Sequence, residues 1–151
     1  MKTPSSFDDP DAVAAYAEGP PRLVPGFADM QRMTLLLLSE HAPADARILV
    51  LGAGGGLELK YFAAARPGWR FDGVDPSPAM LALARTMLGS EAGRAVLHEG
   101  IIDAAPDGPF DGASALLTLH FMPEEERRRA LREIHRRLKP GAPFIAVHHS
   151  V

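Results

Sequence analysis

The 151 residues are 46% hydrophobic and 23% charged, with a formal net charge of −3, which fits one folded domain and excludes a disordered or fibrous chain. The lack of cysteine excludes disulfides, thiolate catalysis and thiolate metal sites. A net negative chain offers no overall field to phosphate backbones, and its longest apolar run, residues 33–38, is far short of the ~20 residues that span a bilayer, so neither nucleic acid nor membrane is expected as a partner.

Residues 1–10 read as a loose, polar, acidic arm without the basic start and apolar stretch of an export signal, so a cytoplasmic location is expected. Residues 11–16 predict a short helix, the prolines between 20 and 25 an extended crossing, and residues 27–41 a longer helix. Met30, Met33, Leu37 and Leu38 recur at helical spacing and are expected to face the core.

ARILVL at 46–51 is a continuous apolar run of strand length that ends in glycine, as in a strand covered by helices on both faces. A helix over 57–65 and a strand over 70–74 complete one strand–helix–strand unit, with Asp75 just beyond it. Pro78 suits the first turn of a helix over 79–88 that Gly89 stops. A third strand is predicted at 95–99 and a fourth at 110–119.

After Pro123 a charged helix runs to about Leu138, where Pro140 and Gly141 end it, and a fifth strand is predicted at 144–148. Glu124 with Arg128, Glu125 with Arg129 and Glu133 with Arg137 stand at i,i+4 spacing, acids early and bases late. The basic run EEERRRALREIHRRLK therefore reads as a solvated, salt-bridged helix rather than an RNA-binding face. The alternation predicts an α/β chain with a Rossmann-like, doubly wound, mostly parallel sheet that stops after its fifth strand.

The chemistry concentrates at LGAGGGL, residues 51–57, between an apolar strand and a helix. Glycines there let the chain turn sharply and let a ligand approach main-chain atoms that a Cβ would block. About 20 residues on, Asp75 can accept both hydroxyls of an adenosine ribose; before Pro76 it also suits a turn residue that satisfies nearby amides. A dinucleotide turn, G-x-G-x-x-G/A, would need a small residue where Leu57 stands. Glycines at 52, 54 and 56 instead suit a ligand without pyrophosphate, which disfavours a nicotinamide-dependent reductase.

VLGAGGG, FDGVDPSPAMLALAR, HEG and LKPGAPF together resemble class I S-adenosylmethionine (SAM)-dependent methyltransferases over about residues 46–148. Within that superfamily, PRLVPGFADM, VDPSPAML and LLTLHFMPEEERRRALREIHRRLKPGAPF are similar to the carboxy-SAM synthase group. The resemblance implies that SAM or S-adenosylhomocysteine is bound, with Gly52, Ala53 and Gly54 along the methionine part and Asp75 on the ribose. It further implies that Pro76 and Met80 flank the adenine, Ile101 and Ile102 cover its other face with Asp103 near its amino group, and Leu117 offers a carbonyl to the methionine ammonium. Residues 1–45 would form a helical arm or lid and residues 46–151 the SAM-binding domain, acting on a small-molecule acceptor.

The chain departs from that family in three places. Val50 stands where an acid usually precedes the first glycine by two positions, which removes an anchor for the turn or the ammonium. Phe27 stands where the carboxy-SAM synthase group has an aromatic with a hydroxyl. The family sheet has seven strands, so FIAV at 144–147 is expected at an open edge, in a truncated product or in a homodimer that covers it. A noncatalytic SAM- or nucleoside-binding domain is the alternative to an enzyme.

His120, after the fourth strand, is the candidate general base, or else a histidine packing over the pocket. Tyr16 and Arg22 could fold over the methionine part, with Arg22 on its carboxylate, or serve at the surface. His148 and His149 point to opposite faces of a regular strand and cannot share one ion, so no metal is expected.

Overall fold

The computed structural model describes residues 7–149; the predicted loose arm at 1–10 therefore lies largely outside the described residues. Five strands form one sheet: β1 (Arg47–Leu51), β2 (Arg70–Asp75), β3 (Ala95–Glu99), β4 (Gly112–Leu116) and β5 (Phe144–Val147). Every pairing is parallel and the order is β3-β2-β1-β4-β5, so the chain reverses direction across the sheet between β1 and β4. At such a switch point a crevice opens beyond the carboxyl ends of the strands. The fold is Rossmann-like α/β, as the alternation predicts.

β1 lies at the centre because both of its faces are apolar. Ile48 and Val50 enter one core layer with Leu59, Phe62, Trp69 and Phe71, whereas Leu49 and Leu51 enter the other with Val74, Phe110 and Ile134. A strand buried on both faces needs helices on both sides. These are α1 (Pro10–Ala15), α2 (Gly19–Leu23), α3 (Phe27–Ser39), α4 (Leu57–Ala65), α5 (Pro78–Leu88) and α6 (Glu124–Arg137).

Three local expectations are corrected. Residues 19–23 are helical rather than extended, because Pro20 and Pro21 sit in the first turn, where a missing N–H costs nothing. β4 ends at Leu116 instead of 119, because Leu117 turns into the left-handed region at φ 55° and residues 119–121 coil into a short 3-10 turn. In α3, Met33 is 59% and Leu37 45% exposed, while Met30, Gln31, Thr34, Leu35 and Leu38 are buried. A leucine-rich helix carries several apolar stripes; Thr34 can be buried because its hydroxyl donates to the Met30 carbonyl at 2.8 Å.

On α6 the pairs Glu124–Arg128 and Glu133–Arg137 form as spaced. Arg129 departs from the pattern: it reaches Asp103 at 2.6 Å, and Glu125 faces Arg132 at 4.0 Å.

Behind the glycine turn, α4 is fastened at its C-terminal end by Arg94. Its guanidinium donates to the carbonyls of Ala63 (2.6 Å), in the last turn of α4, and of Arg66 (3.0 Å) and Trp69 (2.9 Å) in the loop that follows. Arg94→Ala strips a partner from all three and is expected to lower unfolding free energy by about 2 kcal/mol, measured by urea denaturation; a midpoint equal to wild type would contradict this role.

Candidate functional site

β1 ends in a turn whose amides are tied to β2. Gly52 and Ala53 donate their N–H groups to the Val74 carbonyl at 2.8 and 3.0 Å, and Gly54 donates to Asp75 Oδ2 at 2.9 Å. Asp75 Oδ1 accepts the Ser77 N–H at 2.9 Å, so this carboxylate holds the turns after β1 and β2 together. Each of its oxygens keeps a lone pair for a ligand. The glycines are required by space: a Cβ on Gly54 would lie 2.5 Å from Asp75 Oδ2 and 2.7 Å from Met80 Cβ, and one on Gly52 would collide with the Thr118 side chain.

Two adjoining cavities lie over these strand ends. The smaller, about 80 Å³, brings together Gly52, Gly54, Asp75, Pro76, Met80, Ile101 and Leu117, all singled out from the sequence. The larger, about 410 Å³, shares Gly52, Tyr16, Met80 and Leu117 and extends to Glu58, Phe27 and His120. Ala53 and Ile102 do not reach the walls: their side chains are buried on opposite sides of the sheet, Ala53 in the layer with Val50 and Ile102 in the layer with Leu51. Leu117 pays for its place with a left-handed backbone, a strain of roughly 1–2 kcal/mol for a non-glycine residue.

The remaining expectations divide by location. Arg22 pairs with Glu18 at 3.2 Å on the surface, and Asp103 pairs with Arg129; neither lines a cavity. His120 has its Nδ1 buried and without a hydrogen-bond partner among the described residues. Burial lowers its pKa, helped by His149 and His148, so the ring is held neutral. The ring of His149 stands 4.8 Å from it. Among the described residues no three His, Cys, Asp or Glu side chains gather as metal ligands, and no helix is long and apolar enough to cross a membrane.

Tyr16 of the arm does reach both cavities, but its aromatic partners in the cover and one acid carry no signal in the sequence. Phe7 packs edge-on against Tyr16 (6.3 Å) and Phe121 (5.8 Å) over the smaller cavity, and the Ser77 hydroxyl holds the Phe7 carbonyl at 2.9 Å. Glu58, in the first turn of α4, is only 8% exposed. Burial pushes its carboxyl up to about 7 against the pull of its own backbone N–H, and Asp75 adds to the rise. Burial raises Asp75 as well, opposed by the Ser77 and Gly54 amides, and Tyr16 is raised by burial and by both acids. An acid at a helix start is ordinarily a solvated partner of the helix dipole. This one is enclosed instead, on a cavity it shares with Tyr16, Gln31 and Phe27.

With its folded value above the ordinary 4.5, Glu58 keeps its proton in the native chain after the unfolded chain has lost it. Stability therefore falls as pH rises from about 4.5 to about 7, by up to about 3 kcal/mol. Glu58→Gln should flatten that decline in denaturation curves recorded at pH 5, 6 and 7.5; an unchanged pH profile would show that Glu58 titrates normally.

A family profile described as a methyltransferase domain matches residues 49–144. The carboxy-S-adenosyl-L-methionine synthase of Chromohalobacter salexigens is 31% identical over 144 residues, covering 93% of this chain and 53% of its own length. That of Campylobacter fetus subsp. fetus is 30% identical, covering 96% and 62%. This chain thus spans little more than half the length of these relatives. In structure it resembles SAM-bound CalS10, an amino pentose methyltransferase from Micromonospora echinaspora, with TM-score 0.72, 24% identity and coverage of 99% of this chain and 58% of that one. It also resembles a SAM-dependent methyltransferase from Thiobacillus denitrificans in complex with S-adenosyl-L-homocysteine, with TM-score 0.69, 22% identity and coverage of 97% and 56%.

Proposed function

Because this chain belongs to the methyltransferase-domain family of the class I superfamily, we propose that it binds SAM over the carboxyl ends of β1, β2 and β4 and transfers its methyl group to a small-molecule acceptor. One observation carries the reading: the glycine turn that a Cβ would fill is locked to Asp75, whose free lone pairs face the same cavity. In this reading Asp75 accepts the ribose hydroxyls, and Pro76, Met80 and Ile101 flank the adenine. Gly52, Gly54 and the Leu117 carbonyl border the amino-acid tail, while Ala53 and Ile102 support the site from the core.

Bound SAM supplies an electrophilic methyl group on a sulfonium, and a nucleophile held in line with it reacts chiefly through proximity and orientation. The chain has to position, to exclude water and, for an acceptor that must lose a proton, to take that proton. His120, neutral and with Nδ1 unengaged, is the base in this scheme. Phe7 lines both cavities and in this reading covers the bound adenosyl group. The lid in this reading is the arm up to Gly26, because α3 packs into the main core.

Calorimetry tests the reading directly. Wild type is expected to bind SAM and S-adenosylhomocysteine but not a nicotinamide dinucleotide, and Asp75→Ala to weaken SAM by roughly 1.5–3 kcal/mol. His120→Ala should keep SAM affinity and lose about 10²-fold in turnover with an accepted acceptor. Binding without formation of S-adenosylhomocysteine across an acceptor panel would favour the noncatalytic alternative.

We further propose that the open side of β5 pairs with a second copy of the chain, because an unpaired apolar edge invites another strand. Sedimentation at micromolar concentration should then report a dimer; a monomer at every concentration would refute the pairing.

A further inference from the structure

Glu58 is an anomaly among the acids of this chain. It is more than nine-tenths buried, yet among the described residues no cation pairs with it. The groups near it are Tyr16 from the arm and Asp75 at the end of β2, with Gln31 of α3, His120 and His149 on the same cavity. None supplies a fixed positive charge. A buried carboxyl without a counter-charge is costly and is ordinarily kept only where something pairs with it.

Its position indicates what that partner is. The two cavities meet at Gly52, Met80 and Leu117, so a ligand whose adenosine lies against Asp75 passes Gly52 and enters the larger space that Glu58 lines. At the corresponding strand position, Val50 is fully buried in the core and offers no charge.

We infer that Glu58 accepts the ammonium of the amino-acid tail of SAM and is the specificity-determining acid for that tail. The inference rests on the SAM reading above. An ammonium has three donors, so the Leu117 carbonyl and the Glu58 carboxylate can share it. The N-terminus of α4 favours the ionised form of Glu58 once the cation has arrived. A ligand with the same nucleoside and no ammonium gains nothing from this residue.

The test compares S-adenosylhomocysteine with 5′-methylthioadenosine, both neutral thioethers of adenosine, of which only the first has the amino-acid tail, by calorimetry on wild type, Glu58→Gln and Asp75→Ala, with SAM measured alongside. Glu58→Gln is expected to weaken S-adenosylhomocysteine and SAM at least tenfold and leave 5′-methylthioadenosine within twofold, whereas Asp75→Ala weakens all three. Equal losses for S-adenosylhomocysteine and 5′-methylthioadenosine in Glu58→Gln, or a loss for SAM alone, overturn the assignment while the SAM reading stands. Failure of wild type to bind any of the three ligands overturns both. Should Glu58→Gln not fold, wild type alone decides: the preference for S-adenosylhomocysteine over 5′-methylthioadenosine should grow from pH 5.5 to 7.5 as Glu58 ionises, and a ratio independent of pH overturns the inference.

Discussion

The tie between Asp75 and the Gly54 amide is the contact on which the site depends. A strand that ends in glycines has no side chains with which to fix its own turn, and buried amides left without acceptors would cost as much as lost hydrogen bonds. Val74 and Asp75 supply those acceptors from the neighbouring strand, which sets the turn after β1 against the turn after β2. The same carboxylate caps the start of the next segment through Ser77. One side chain thus fixes two loops and still faces the cavity.

The electrostatics of the region follow from that arrangement. Asp75, Glu58 and the Tyr16 hydroxyl crowd one small space, and each is driven toward its neutral form mainly by burial. His120 is likewise held neutral on the far wall. Such a pocket carries suppressed negative charge and no fixed positive charge among these groups, so a cationic ligand relieves it and an anionic one does not. Aromatic side chains at Phe7, Tyr16 and Phe121 close the opening, and with less water the charge effects grow stronger.

Local signals were enough for most of the architecture. Apolar runs of strand length, first-turn prolines and stopping glycines placed every strand and most helices, because those cues act within a few residues of themselves. They fell short where tertiary position chose among equal options. In α3, the stripe through Met33 and Leu37 and the stripe through Thr34 and Leu35 are alternatives by periodicity; docking on the sheet selected the second. Ala53 and Ile102 fell away from the cavity for a related reason: each sits in a turn whose packing sends its side chain into a core layer, and motif position does not say which side is open.

Local pattern fixed the class of fold, the glycine turn and the acid at the end of the next strand, since strand, turn and acid follow one another within a single strand–helix–strand unit; the hydrogen bond that ties Gly54 to Asp75 came only with the docking of the two strands. Tertiary structure alone decided the burial of Glu58, the aromatic cover and the merging of two cavities at Gly52. Those features join residues from the arm, α3, α4 and the end of β4, and no local pattern encodes how distant segments enclose a common space. Burial, which turns an ordinary helix-start acid into a group that needs a cation, is a property of everything packed around it.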